Sequence, residues 1–133
     1  MKNLVWDESL SVEVDEIDED HRRLVDLFNI LSHSVTDGDA DDYIDAVLEE
    51  LISCTIWHFR HEERLMIKHQ YAGLGEHKAE HQALIDSVRD LQKTFHQVNK
   101  LLTSDDIEFL ANWLTEHILG QDMKLGFYLM RAM

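Results

Sequence analysis

The chain has 133 residues, of which 27 are acidic and 12 basic, for a formal net charge of −15. That length suits a single domain over residues 1–133 that can bury a core without cross-links, and the lone Cys54 excludes an internal disulfide framework and suits a reducing compartment. The acidic surplus argues against nucleic acid, whose phosphates reward Lys and Arg, and against anionic membranes; it leaves a solvated acidic surface or docking to a basic protein partner.

No apolar run approaches the roughly 18 residues of a membrane span, and no charged-then-apolar leader opens the chain. The expectation is a cytoplasmic protein with no membrane insertion. Proline is absent and the few glycines act as punctuation at Gly38, Gly73, Gly75, Gly120 and Gly126. In chain order, an apolar arm from Met1 to Glu16 carries Val5, Trp6, Leu10, Val12 and Val14, too much apolar surface for a free tail. A first helix is predicted from Asp18 to Thr36, with Ile17, Leu24, Phe28, Leu31 and Val35 recurring at helical steps. A second covers Asp41 to about His69 on the stripe Ile44, Val47, Leu48, Leu51 and Leu65. A third runs from Leu74 to Leu102 on Leu84, Val88, Leu91 and Phe95. Thr103 or Ser104 caps a fourth, with Asp105 and Asp106 in its first turn and Ile107, Leu110 and Leu114 on its stripe. A short tail helix is expected over Met123 to Met133. Amphipathic helices with short connections imply an all-α, antiparallel up-down-up-down four-helix bundle.

Nine histidines are the anomaly. Extending the stripes places His21 between Ile17 and Leu24, and His58 and Glu62 between Leu51 and Leu65. His77 and His81 lead into Leu84, and His117 follows Leu114. Every helix of the bundle thus turns a metal-binding side chain inward. Burying such groups unpartnered costs several kcal/mol for a carboxylate and less for an imidazole, so a bound metal is the natural reason for the cluster. His58 and Glu62 lie four apart, as do His77 and His81, so each pair shares a helix face. His117 and Asp122 lie five apart, about 140° around a regular helix. For both to face inward the helix must widen or end between them, where Gly120 sits.

His33, His61, His69 and His96 fall off the stripes and read as surface residues. Cys54 reads as a small core residue, and Trp57, Phe59, Phe109 and Trp113 as packing. His61-Glu62-Glu63-Arg64-Leu65 lacks the second histidine of a zincin helix, so a metalloprotease is rejected. The imidazoles alone leave zinc and manganese open beside iron.

The set His21, His58 and Glu62 within His-Phe-Arg-His-Glu-Glu, His77 and His81, and His117 and Asp122 resembles the signature of the hemerythrin family. The lead-in from Trp6-Asp7 through Ile17-Asp18-Glu19-Asp20-His21 resembles its single-domain bacterial branch, and the likeness spans nearly the whole chain. It implies two non-haem iron ions bridged by oxide or hydroxide. His77, His81 and His117 would bind one iron and His21 and His58 the other, with Glu62 and Asp122 bridging. One coordination position would stay open on the iron with fewer histidines, where dioxygen binds. The resemblance implies reversible dioxygen binding for oxygen storage or delivery by a monomer that is not an enzyme. The rival readings are an oxygen, nitric oxide or redox sensor, and a di-iron enzyme such as a peroxidase or nitric oxide reductase. Aliphatic residues such as Leu114 and Ile118 are expected to keep the pocket dry. Leu125 stands where the family often has a tyrosine, with Tyr128 one turn further on.

Overall fold

A computed structural model describes residues 4–97 and 102–132. It is all-helical among the described residues: α1 Asp15–Thr36, α2 Asp41–Lys68, α3 Leu74–Phe95, α4 Ser104–His117 and α5 Met123–Ala132. Helix α1 packs on α2, α2 on α3, and α4 on α1. The α1–α2 link turns at Gly38, whose φ of 68° a side chain would strain. Such short links force neighbours to run antiparallel.

The boundaries differ from expectation in two places. Helix α1 begins three residues early, because Asp15, Glu16 and Asp18 supply its first turn with acidic charge where the helix dipole favours it. Helix α3 ends at Phe95, short of the expected Leu102, and residues 98–101 of that expectation lie outside the described residues. Extended backbone at Thr103 then starts α4 in a capping box. Its hydroxyl accepts from Asp106 N–H and the Asp106 carboxylate accepts from Thr103 N–H.

Antiparallel packing has one consequence for function. His21 lies near the start of α1, Glu62 near the end of α2, His77 near the start of α3 and His117 at the end of α4. The polar positions therefore gather at one end of the bundle. Phe28, Leu31, Leu48, Ile52 and Ile107 belong to the apolar core, each almost without exposed surface.

The N-terminal arm is stapled to this frame. Leu4 exchanges backbone hydrogen bonds with the Asn29 amide at 2.8 and 2.7 Å. Asp18 accepts from Ser11 Oγ at 2.6 Å and from Val12 N–H at 2.8 Å. Val12 then passes directly over Gly126 on α5, where a Cβ would lie 2.9 Å from the Val12 Cβ and closer still to its carbonyl. Gly126→Ala is expected to destabilise the fold by about 1–3 kcal/mol through this overlap. Gly75→Ala, whose new methyl meets nothing within 4 Å, should stabilise by about 0.5–1 kcal/mol. Paired denaturant melts measure both signs, and an unaffected Gly126→Ala would contradict the stapled arm.

Candidate metal centre

The α4 helix does not end at His117. Residues Ile118–Asp122 form one π-helical turn, and Met123 N–H donates to the carbonyl of Ile118 five residues back. A π turn stacks residue i+5 over residue i, so Asp122 comes round to the same face as His117. The widening that the spacing demands is how the chain meets it, and α5 continues directly from that turn.

All seven predicted side chains meet in the bundle: His21, His58, Glu62, His77, His81, His117 and Asp122 are each buried. Their ligand atoms fall into two overlapping groups, each within 4.8 Å internally. One holds Glu62, His77, His81, His117 and Asp122, and the other His21, His58, Glu62 and Asp122. The two carboxylates divide their oxygens between the groups. Glu62 Oε1 lies 2.9 Å from His81 Nε2 and 3.4 Å from His77 Nε2, while its Oε2 lies 3.3 Å from His58 Nε2. Asp122 Oδ1 lies 2.9 Å from His77 Nε2 and 3.1 Å from His117 Nε2, while Oδ2 lies 2.8 Å from His21 Nε2.

A second ring of carboxylates holds the far nitrogens. His58 Nδ1 lies 2.9 Å from Asp20 Oδ2, His81 Nδ1 2.9 Å from Glu63 Oε2, and His117 Nδ1 2.7 Å from Glu80 Oε1. Donation of Nδ1–H to these acceptors leaves each Nε2 lone pair facing the centre. Sequence reasoning missed Asp20, Glu63 and Glu80 because each serves a histidine on another helix. The one local signal is that each sits immediately beside a candidate ligand: Asp20 by His21, Glu63 by Glu62, Glu80 by His81.

Other readings need correction. His61, expected at the surface, is partly buried, with Nδ1 2.6 Å from Asp20 Oδ2. His69 is also half-buried, whereas His33 and His96 are exposed. Phe59 packs as expected and stacks on the His81 ring at 3.8 Å. Trp113 is buried, but Trp57 and Phe109 face solvent. Leu125 is buried, and the Tyr128 hydroxyl donates to the His69 and Gln70 carbonyls beyond α2, so Tyr128 does not take over a place beside Asp122.

Charge at the centre is strongly coupled. Burial favours the neutral ring of His77, but hydrogen bonds and charge from Asp122 and Glu62 outweigh it and push its pKa up to about 9. The same balance lifts His58 and His117 well above the ordinary imidazole range. Burial would raise the Glu62 and Asp122 pKa values, yet the facing imidazoles hold both well below the usual carboxylate range. Protons thus occupy, without metal, the place of a cation. Even so, His58 Nε2, His117 Nε2 and Glu62 Oε2 are buried with no hydrogen-bond partner. Orphaned acceptors and donors aimed at one another fit a metal better than a proton network.

The hemerythrin HHE cation binding domain matches residues 12–126. The chain belongs to the hemerythrin family. Among its relatives, the bacteriohemerythrin of Methylococcus capsulatus is 35% identical over 109 residues, covering 82% of each chain. That of Stenotrophomonas maltophilia is 31% identical, covering 92% of this chain and 78% of the relative. A hemerythrin-like protein of Naegleria gruberi is 31% identical over 90% of this chain and 87% of its own. The crystal structure of wild-type hemerythrin superposes with a TM-score of 0.88 at 32% identity, over 95% of this chain and 97% of that one. The hemerythrin fold and a buried His/Glu/Asp cluster that fits non-haem iron are thereby established for this chain.

The pKa of His77 carries a sign for stability. In metal-free protein its pKa is raised from 6.5 to about 9, so its contribution is full below the lower value and is lost as pH rises through the upper one. Metal displaces these protons. Melting temperatures of metal-free protein should therefore fall between about pH 7 and pH 10, while metal-loaded protein should not show that fall. Parallel curves for the two forms would mean that the histidines are not the metal's ligands.

Proposed function

We propose that this hemerythrin-family chain binds dioxygen reversibly at a two-iron centre, for oxygen storage or delivery. The observation that carries the reading is the division of Glu62 and Asp122, each offering one oxygen toward His77, His81 and His117 and the other toward His21 and His58. That division suits two ions, an iron with three histidines and an iron with two, bridged by both carboxylates and by oxide or hydroxide. Two ferrous ions would supply the electrons on which reversible oxygen binding draws.

The chain's own residues do the rest. Five neutral imidazoles and only two carboxylates favour ferrous iron over the higher oxidation states that carboxylate-rich sites support. Asp20, Glu63 and Glu80 keep three of the rings in the ligating tautomer. Leu114 and Ile118, both buried beside His117, exclude water from the pocket. An enzyme would need a proton donor at the open position. All seven clustered side chains serve as candidate ligands, so none of them is left over as such a donor. We therefore favour a binding protein over an enzyme, acting as a cytoplasmic, single-domain monomer; no described helix is long and apolar enough to cross a membrane.

The test is an ultraviolet–visible spectrum of anaerobically reduced, iron-loaded protein before oxygen, with oxygen, and after its removal. A charge-transfer band that comes and goes with oxygen is expected; immediate, permanent oxidation would instead indicate a redox enzyme or redox sensor. His77→Ala and Glu62→Ala should lose the paired iron, whereas the exposed His33→Ala and His96→Ala should keep full loading. Full loading of the first two by metal analysis would sink the ligand assignment. Glu80→Ala should load iron about 10–100-fold more weakly, because the His117 ring loses the group that orients it.

A further inference from the structure

The outer acids differ in how they are themselves held. Asp20 and Glu80 each line an open groove, of about 740 Å³ between α1 and α2 and of about 330 Å³ between α3 and α4. Glu63, only 7% exposed in its side chain, is better shielded. It also divides its oxygens: Oε2 lies 2.9 Å from His81 Nδ1, while Oε1 accepts from Arg60 at 2.9 Å. Asp20 does not divide them. Its one oxygen Oδ2 lies 2.9 Å from His58 Nδ1 and 2.6 Å from His61 Nδ1.

A carboxylate oxygen can only accept, so both rings donate N–H to it. Burial would push the Asp20 pKa up, yet hydrogen bonds from His58 and His61 hold it below the usual carboxylate range, and the group stays an anion. His61 is well placed to keep its bond. It stands on α2 three residues after His58, its side chain is 15% exposed, the Trp57 ring lies 5.4 Å from its own, and its Nε2 faces Glu16 Oε1 at 3.7 Å. An acid behind a ligating imidazole raises the basicity of that ligand. A second donor on the same oxygen draws off part of that charge, so the bond to His58 is weaker than it would be alone.

We infer that His61 is a positioning residue that moderates, through Asp20, the electron donation of His58 to its metal ion. The inference rests on the iron reading above, in which His58 serves the ion with two histidines and the open position. His81 and His117 lean on other acids, so His61 acts on one side of the centre only. Weaker donation there favours the ferrous state, from which oxygen binding starts.

The test is a redox titration of iron-loaded protein with oxygen excluded, followed by ultraviolet–visible absorption. His61→Phe removes the donor and keeps a flat ring, His61→Leu repeats the comparison with a smaller side chain, and His61→Asn returns an N–H near the place of Nδ1. At a fixed potential His61→Phe and His61→Leu should raise the ferric-to-ferrous ratio about three- to tenfold, with His61→Asn close to the unaltered chain. Asp20→Asn, which removes the charge, should shift the ratio the other way. Adding His61→Phe to Asp20→Asn should then change it little, because the route from His61 to His58 is gone. An unchanged ratio with a lowered melting temperature would reduce His61 to a packing role and overturn the inference. So would a shift of opposite sign, or an equal shift in the Asp20→Asn background. Failure of the unaltered chain to take up iron, seen by metal analysis, sinks the centre itself. The titration runs without oxygen, so failure of reversible oxygen binding leaves its readout intact.

Discussion

Two carboxylates with no exposed surface, Glu62 and Asp122, lie close together in the bundle interior. Anions so placed repel one another and have lost their hydration, at a cost of several kcal/mol unless cations surround them. Five imidazoles are arranged around them, and these are cations only while they hold protons. Bound metal ions would meet the same need with stronger and more directional bonds. The rest of the bundle end serves this requirement: the ligand positions on four helices, the widened turn and the outer carboxylates.

The outer carboxylates follow a rule along the chain. Asp20 on α1 holds His58 on α2, Glu63 on α2 holds His81 on α3, and Glu80 on α3 holds His117 on α4. Helices α1, α2 and α3 thus each supply an inward side chain and, from the adjacent position, the group that orients a histidine of the next helix. This ties helix packing to ring orientation, so a shift of one helix disturbs the centre through two residues at once. His21 and His77 lack such a group, and their Nδ1 atoms are buried without partners. The grooves beside α1 and α3 both end at outer carboxylates, but only one carries arginines.

The buried cluster was legible in the sequence because a metal-binding residue type on an apolar stripe breaks a periodic pattern, and His21, His58, Glu62, His77, His81 and His117 each break one. Asp122 was legible by contradiction, since its spacing from His117 fits no regular helix. The helix order and the packed arm were equally readable from apolar periodicity. Trp57 and Phe109 were misread because an aromatic ring is expected inside, and nothing local distinguishes a ring left outside. His61 was misread because its partner, Asp20, lies 41 residues away.

The sequence by itself therefore determined the all-helical bundle and which side chains turn inward, since both follow from the helical period and the free energy of burial. Only the tertiary structure decided that the link between His117 and Asp122 is one π turn rather than a break. It also decided how each carboxylate divides its oxygens, which acid orients which histidine, and where the grooves open. Those features depend on the relative placement of helices distant in sequence, and no periodicity within one helix encodes them.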